Sequence, residues 1–475
     1  MATTYILSFL ALTVANVVAA EQQVLPNVLG NGVVNRLESS DVPRVLALAN
    51  RHDLDVWHAS DSNVDIYLPP GGPSLPDELK KLTRTSWIVP AAQPEPLVRV
   101  STEWNVSTVV NSTFHDNYHP IEEVKDFMKQ LVAVYPSTTQ LTNFGQTAEG
   151  RELLALTISS GVYNLQEVDE VEEEIVEEDF QGKKKKKTKH SRKKTRPPLR
   201  VTEKLGVVII GAQHAREWIG SSTALYLAHT LSLHRNDSQS LSKLLDHFDF
   251  HFIPIPNPDG YDYTWKTDRY WYKNRQALGP HAKCLGLDMN RNWGYKWRSS
   301  VALAETSGNN SDIQSSETPN PCSQFYPGVR PFESSEVNDI ANWITTLPNL
   351  AAFVELRSYG QMLSSPYSYS CKRLAKDAED QIEAAIGASQ ALHSVHGTEF
   401  KVGSLCSTLY PAHGNMLDWM YKREGIKYSY VAHLRDTGTH GFTLPPKWIR
   451  PTGEETSRLV DYLSRFIAKQ AKREF

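Results

Sequence analysis

The chain alternates short apolar runs with segments in which apolar residues recur at helical spacing. In YHPIEEVKDFMKQLVAVYP, Val124, Phe127, Met128 and Leu131 fall on one helical face and a proline ends the pattern, which predicts a helix. SEVNDIANWITTL predicts another helix. Apolar runs predict strands in ELLALTIS, LGVVIIGA, HFDFHFIPIPNPDG, AAFVEL and IKYSYVAHLRDTG. Because strands that are apolar on both faces belong to buried sheets, the alternation predicts an α/β fold with a mixed, mostly buried sheet flanked by helices.

The apolar pattern also divides the chain into segments. Residues 1–20 are apolar from Tyr5, end in small residues and predict a secretory signal peptide cleaved after Ala20, with a buried N-terminal helix as the alternative. Residues 21–104 predict a small α+β domain and a proline-rich linker, and residues 105–475 predict the larger α/β domain. No later run reaches the roughly 18 apolar residues of a membrane span. We therefore expect a secreted protein without a membrane span.

The distribution of charged residues adds one feature to this organisation, a charged insertion. The formal net charge is −4, which gives no reason to expect binding to nucleic acid. Residues 164–198 contain an acidic block, EVDEVEEEIVEED, followed by a basic block, KKKKKTKHSRKKTR. Neither block can bury apolar surface, so we expect a charged loop inserted between two strands. A solvated loop, a cleavage site for a processing protease and a polyanion contact are the alternatives for its role.

The cysteines and sequons agree with secretion. Four cysteines favour two disulfides in a secreted chain, and the sequence alone allows three pairings. Sequons that predict glycosylated surface positions begin at Asn105, Asn111, Asn236 and Asn309.

The first candidate chemistry follows the strand in LGVVIIGAQHAREWIGSS. His214 and Glu217 stand three residues apart in the loop after it. An imidazole and a carboxylate are typical zinc ligands, and a catalytic zinc site needs a third protein ligand. These two residues alone therefore predict an incomplete metal site.

Several phrases in fixed order supply the context: TAEGREL, GAQHAREWIG, NPDGYDYTW, DRYWYKNR, GLDMNRNWGYKW, RSYGQMLSSPYSY, STLYPAHGNMLDW and KYSYVAHLRDTGTHGF. Together they make residues 105–475 resemble the zinc metallocarboxypeptidases of the pancreatic A/B type (M14). RSYGQMLSSPYSYSCKR and WYKNRQ resemble in particular the secreted or vacuolar inactive members of fungi that are linked to cell-wall organisation. The resemblance implies an eight-stranded type of sheet and one zinc ion. It also implies that residues 21–100 are an inhibitory pro-domain.

The resemblance implies a role for each matching residue. His214 and Glu217 match the first two zinc ligands. Asn290 and Arg291 match the pair that binds the terminal carboxylate of a peptide, which a planar guanidinium can grip with two hydrogen bonds. The full set of implied substrate-binding residues is Arg216, Arg269, Asn290, Arg291, Ser358, Tyr359, Tyr410 and Leu417.

Two of these positions and the cysteines carry further implications. Tyr410 matches a mobile tyrosine that closes over the peptide, and Leu417 in the specificity pocket suits an apolar C-terminal side chain. The resemblance also implies a Cys284–Cys322 disulfide, which leaves Cys371 for Cys406.

Three positions depart from the family. Arg357 stands where the family has its third zinc ligand, and an arginine has no lone pair to give. His433 stands at the general-base position, and Tyr272 replaces the arginine that stabilises the oxyanion. A base contributes about 10²–10⁴-fold and an oxyanion donor about 3 kcal/mol, so we expect no appreciable carboxypeptidase activity.

Two arrangements of the metal position are open. In the favoured one, Arg357 pairs with Glu217 and zinc is absent, because a buried carboxylate needs a partner. In the other, His433 turns toward His214 and Glu217 as a substitute third ligand.

Three functions follow from these observations. The leading hypothesis is a binding or scaffold protein of the cell wall or vacuole, which holds peptide C-termini without cutting them. The alternative is an active secreted A-type zinc carboxypeptidase that uses His433 as its base. The third is a structural wall glycoprotein with an inert site.

Overall fold

The computed structural model describes residues 32–89, 103–160, 204–279, 283–299 and 320–473. The predicted signal peptide, the linker, the charged insertion at 164–198 and the sequon at Asn309 lie outside these residues. Among the described helices, none is long and apolar enough to cross a membrane.

The N-terminal part of the described chain is a four-stranded antiparallel sheet with two helices, which we call the pro-domain. Its elements are β1 (Gly32–Glu38), α1 (Val42–Arg51), β2 (Asp55–Ala59), β3 (Asn63–Leu68), α2 (Asp77–Lys80) and β4 (Thr83–Val89). The strand order is β2-β3-β1-β4. Leu37, Val64 and Ile66 are fully buried with apolar residues of α1, because each amphipathic element needs a partner for its apolar face. This order places β2 at an edge of the sheet.

The second part is built on an eight-stranded mixed sheet. Its strands are β5 (Thr139–Gln146), β6 (Glu152–Ile158), β7 (Leu205–Ile210), β8 (Phe248–Ile253), β9 (Leu350–Arg357), β10 (Met362–Ser365), β11 (Lys401–Ser404) and β12 (Tyr428–His433). Their order is β11-β10-β12-β9-β7-β8-β6-β5. The neighbours β12, β9, β7 and β8 are parallel, whereas β5, β6 and β10 each have an antiparallel neighbour. The predicted mixed sheet is confirmed.

Helices cover this sheet on both faces. They are α3 (Ile121–Val134), α4 (Trp218–Ser232), α5 (Pro258–Lys266), α6 (Ser335–Thr346), α7 (Ala378–His396), α8 (Leu405–Thr408), α9 (Met416–Lys422) and α10 (Ile449–Arg473). One core joins the sheet to α3, α4, α7 and α10, and the other joins it to α6 and α9. The central strands β7 and β12 are buried along their whole length, which explains why they are continuous apolar runs.

Two disulfides fix loops of this domain. The structure contains Cys284–Cys322 and Cys371–Cys406, the pairing that the resemblance implies. Asn105, Asn111 and Asn236 are exposed, as a glycosylation site requires.

Candidate functional site

The candidate site lies at the carboxyl ends of the parallel strands, where loops of such sheets collect functional groups. His214 and Glu217 belong to the loop between β7 and α4. Arg357 and His433 are the last residues of β9 and β12, and the two stand opposite each other in the strand register. A Cβ atom at Gly220 would lie 2.4 Å from the carbonyl oxygen of Leu356. The first turn of α4 therefore approaches β9 closely, which brings Glu217 to the end of that strand.

The Arg357 side chain reaches both implied zinc ligands. Its Nη2 lies 2.8 Å from His214 Nδ1 and 3.6 Å from Glu217 Oε1. His214 Nδ1 and Glu217 Oε1 are themselves 2.8 Å apart, and both side chains are only 1% exposed. The guanidinium thus lies beside the pair of atoms that would face a shared cation. The structure contains the predicted Arg357–Glu217 ion pair, and the absence of zinc stays a prediction.

The hydrogen bonds of His214 indicate which nitrogen carries the lone pair. Nε2 lies 3.1 Å from Oδ1 of buried Asp288, which can only accept a hydrogen bond when ionised. If Nε2–H donates to Asp288, the Nδ1 lone pair is free to accept from Arg357. A proton on Nδ1 would instead place two donors 2.8 Å apart, so we assign the Nε2–H tautomer.

Charge stabilises this cluster despite its burial. Burial would raise the pKa of Glu217, but Arg357 and then His214 hold it below its usual value. Burial would lower the pKa of Arg357, but Glu217 and Glu355 raise it. Both groups are therefore charged near neutral pH, as a buried pair must be if it is to offset desolvation.

His433 does not act as a substitute ligand in this structure. It is 4% exposed, its Nδ1 has no hydrogen-bond partner, and within the described ranges no group of three His, Cys, Asp or Glu side chains could hold a metal. Burial, followed by the charge of Arg357, lowers the pKa of His433 well below its usual value. In the alternative arrangement His433 would turn toward His214 and Glu217, but here the Arg357 guanidinium makes the contacts to both residues.

Tyr272 lies flat against the cluster. Its ring stacks on His214 with centroids 3.8 Å apart, and the Arg216 guanidinium carbon lies over the Tyr272 ring, 4.7 Å from its centroid. Burial and the nearby carboxylate of Asp288 raise the pKa of Tyr272 well above its usual value. A neutral, stacked phenol cannot supply the positive charge of an arginine to an oxyanion.

The implied carboxylate-binding residues lie next to this cluster, since Arg291 Nη1 is 3.9 Å from Oδ2 of Asp288, the carboxylate that bonds His214. Arg291 Nη2 donates to the Tyr410 hydroxyl over 3.3 Å, and its Nη1 donates to the carbonyl oxygen of Asn290 over 3.0 Å. Asn290 Nδ2 points to Glu355, with oxygens at 3.3 and 3.4 Å. Leu417 is fully buried in a small apolar cluster. The structure thus brings Asn290, Arg291 and Tyr410 together, and their role in binding stays a prediction.

The pro-domain covers the site through β2. Asp55 accepts two hydrogen bonds from Arg216, at 2.6 and 2.9 Å, although Arg216 is only 1% exposed. Trp57 packs against Tyr270 and Phe442 with ring centroids 5.0 Å away. This edge strand therefore places a carboxylate on Arg216 and an aromatic ring on Tyr270 and Phe442.

The remaining implied substrate-binding residues also contact the pro-domain or support the site. Tyr359 donates to Asp65 Oδ2 of β3 over 2.9 Å. The backbone N–H of Ser358 donates to Glu217 Oε2 over 2.9 Å. Arg269 donates to the carbonyl oxygens of Arg216 and Phe442 and lies over the Trp218 ring at 3.6 Å.

A small cavity of about 40 Å³ remains between the pro-domain and the site. Its lining includes Trp57, His58, Arg357, Tyr359, Tyr410 and His433. A space of this size holds only a few water molecules. The covered form has no room for a peptide side chain at the cluster.

Comparison with known proteins identifies the family. The family model "Zinc carboxypeptidase" matches residues 124–458. The chain belongs to the zinc carboxypeptidase family. It is 32% identical to inactive metallocarboxypeptidase ECM14 of Ajellomyces capsulatus (strain H143), over 92% of this chain and 72% of that one. It is 33% identical to the protein of that name in Paracoccidioides brasiliensis (strain Pb03), over 92% and 73%.

Solved structures of this family share the architecture. Thrombin-activatable fibrinolysis inhibitor matches with a TM-score of 0.67 and 25% identity over 93% of this chain and 99% of that chain. A carboxypeptidase A of Helicoverpa armigera, at 22% identity, matches in fold with a TM-score of 0.69 over 94% and 99%. The chain thus has the fold of the zinc carboxypeptidase family. The names of the fungal relatives and the replaced side chains indicate that it is an inactive member of this family, a pseudoenzyme.

The zinc ion of the family does not fit the residues present. Two of its three ligand positions hold His214 and Glu217, but the third holds a guanidinium whose Nη2 already contacts both. A cation beside two ligand atoms repels a second cation and supplies no lone pair.

The sequence analysis did not identify the buried carboxylates of Glu355 and Asp288, nor the contacts between the pro-domain and the site. Glu355 stands two residues before Arg357 in β9 and accepts from Gln213 Nε2 over 2.8 Å, while burial raises its pKa even though Arg357 opposes this. The period of two along a strand would have placed Glu355 on the same face as Arg357. The contacts of Asp55 and Asp65 had no comparable signal, since they join distant parts of the chain.

Proposed function

We propose that this pseudoenzyme is a binding protein for peptide C-terminal carboxylates, which it holds without hydrolysing them. The observation that carries the proposal is that the carboxylate-binding residues are retained whereas the hydrolytic residues are replaced. The Arg291 guanidinium, with the Tyr410 hydroxyl at 3.3 Å, keeps the means to bind a carboxylate. The Arg357 guanidinium takes the place of the hydrolytic centre beside Glu217.

The proposed ligand follows from chemistry and burial. A guanidinium recognises a carboxylate through parallel charge-assisted hydrogen bonds. Leu417 and Val431 are fully buried behind the site and Leu405 is 2% exposed, which supports an apolar C-terminal residue such as Phe or Leu. This function needs no zinc ion, since the family's one ion serves hydrolysis rather than recognition of the carboxylate.

Access to this site depends on the pro-domain. Phe325 packs in the pro-domain core and Tyr410 packs against it, so the covered form offers no open cleft. We propose that the pro-domain closes the site and that cleavage of the linker between residues 90 and 102 opens it.

The proposed setting is the cell exterior or the vacuole, with a role in cell-wall organisation. This part rests on the predicted signal peptide and on the resemblance to fungal members. Microscopy of the tagged full-length chain, with and without residues 1–20, tests the proposed cellular location. Staining of cell-wall polymers in a deletion strain tests the role.

Calorimetry tests the binding proposal. Peptides ending in Phe are titrated into the chain before and after limited proteolysis of the linker, with the C-terminal amide as the matched control. We expect binding of the acid only after cleavage, and about 10–100-fold weaker binding of the amide, since a charge-assisted hydrogen bond contributes roughly 1.5–3 kcal/mol.

Two variants complete this experiment. Arg291→Gln should weaken binding of the acid to the level of the amide, whereas Arg465→Gln, a change at an exposed arginine of α10, should leave it unchanged. Equal binding of acid and amide by the cleaved protein would contradict the proposal and favour an inert structural site.

A further inference from the structure

Arg357 stands at the position of the family's third zinc ligand, and its guanidinium lies where the zinc ion would lie. Arg357 closes β9, and its Nη2 reaches His214 Nδ1 at 2.8 Å and Glu217 Oε1 at 3.6 Å. In the assigned tautomer both of these atoms carry lone pairs, and two acceptors 2.8 Å apart repel each other unless a cation lies beside them.

The surroundings support a cation at this point. Glu355, on the same face of β9, and Asp288, bonded to His214, are both fully buried. Arg357 Nε is buried and has no hydrogen-bond partner in the part of the chain that the structure describes, so the side chain is held through Nη2 and its charge rather than through a full set of hydrogen bonds. A group held in this way serves chiefly by its positive charge.

We infer that Arg357 is a built-in cation that replaces the zinc ion of the family, and that it alone keeps the intact His214–Glu217 pair from binding a metal. The inference goes beyond the proposed peptide binding and does not depend on it. His214 keeps its Asp288 hydrogen bond, which orients the ring and fixes the tautomer that a metal needs. The rest of the half-site is therefore ready for metal, and one residue decides whether metal binds.

The inference makes a single substitution decisive. Arg357→His removes the charge and adds an imidazole at the end of β9, which gives the three-ligand set of a zinc site. Arg357→Gln removes the same charge without adding a good ligand and is the matched control. Glu217→Gln in each background removes one of the two existing ligands.

The test is a calorimetric titration of Zn²⁺ into the chelator-treated, full-length protein. We expect the Arg357→His variant to bind one zinc ion at least about 100-fold more tightly than the wild type or Arg357→Gln, and to lose this gain with Glu217→Gln. Its melting temperature should rise with added zinc, because a ligand that binds only the folded state stabilises it. A melting curve without zinc shows whether each variant is folded.

Two results would overturn the inference. The first is a wild-type protein that binds one zinc ion and loses it with Glu217→Gln. The second is a folded Arg357→His variant that binds no more zinc than Arg357→Gln. If Arg357→His does not fold, Arg357→Cys supplies a smaller thiolate ligand under the same criteria. If neither variant folds, the wild-type titration decides, since zinc binding that needs Glu217 contradicts the inference and its absence supports it.

Discussion

The two halves of the site differ in whether they retain the residues of the zinc carboxypeptidase family. On one side, Arg291 donates to Tyr410 over 3.3 Å and Leu417 is fully buried, and these are the residues that we propose hold the end of a peptide. On the other, Tyr272 and Arg357 have replaced the groups that would cut it. The proposed function assigns recognition to the first set of residues and loss of hydrolysis to the second, and the predictions below set one part of the site against the other.

The largest expected effect is a return of hydrolysis when the replaced half is converted. We expect the triple variant Tyr272→Arg, Arg357→His, His433→Glu, after cleavage of its linker and with zinc present, to release C-terminal Phe at least about 10⁴-fold faster than the wild type. The reason is that an oxyanion donor contributes roughly 10²–10³-fold and a general base about 10²–10⁴-fold.

The matched control is the double variant Tyr272→Arg, His433→Glu, which keeps Arg357. It should show no gain when amino-acid release is followed by chromatography. Hydrolysis by this double variant would show that Arg357 does not block the reaction.

The second effect concerns stability. Arg357→Met should lower the free energy of unfolding by about 3–5 kcal/mol, because it leaves the buried Glu217 carboxylate without its cation. Adding Glu217→Gln should recover most of this loss, since the unpaired charge is then gone. Urea unfolding of the single and double variants measures both values, and a single variant as stable as the wild type would contradict the ion pair.

The smallest effect is a pH dependence at His58, which stacks on Tyr359 between the two domains. Burial lowers the pKa of His58 to about 4, although Asp65 opposes the shift. The unfolded chain takes up this proton near pH 6.5 and the folded chain only near pH 4, so stability falls as the pH drops below about 6.5.

His58→Phe should therefore lessen the loss of unfolding free energy between pH 6.5 and 5 by about 2 kcal/mol. Buried His251 and His229, whose pKa values burial also lowers to about 4, act in the same direction in both proteins. The comparison with the wild type cancels their contribution. Equal slopes of stability against pH would show that folding does not change the pKa of His58.

Much of this arrangement could be read from local sequence. The strands β7, β9 and β12 are continuous apolar runs, and the loop that follows β7 carries His214 and Glu217. The apolar run AAFVEL also predicted that Arg357 lies at the end of a strand, β9. Each of these features depends on a few neighbouring residues, so the pattern was enough to predict it.

The contacts across the chain could not be predicted in this way. The Asp55–Arg216 ion pair joins residues 161 positions apart, and the His214–Asp288 bond joins residues 74 apart. Such contacts depend on how the domains and loops pack, and a carboxylate next to polar residues looks the same in the sequence whether it faces solvent or an arginine. The buried role of Glu355 differs from these contacts, because the period of two along β9 was a local signal for it.

The central claim, that Arg357 stands in place of the metal, is tested most directly by the metal content of the wild-type protein. The full-length chain is purified from the secreted fraction without chelator or added metal, and zinc is measured by elemental mass spectrometry against protein concentration. The account predicts far less than one zinc ion per chain. A content close to one zinc per chain, lost in Glu217→Gln, would contradict it.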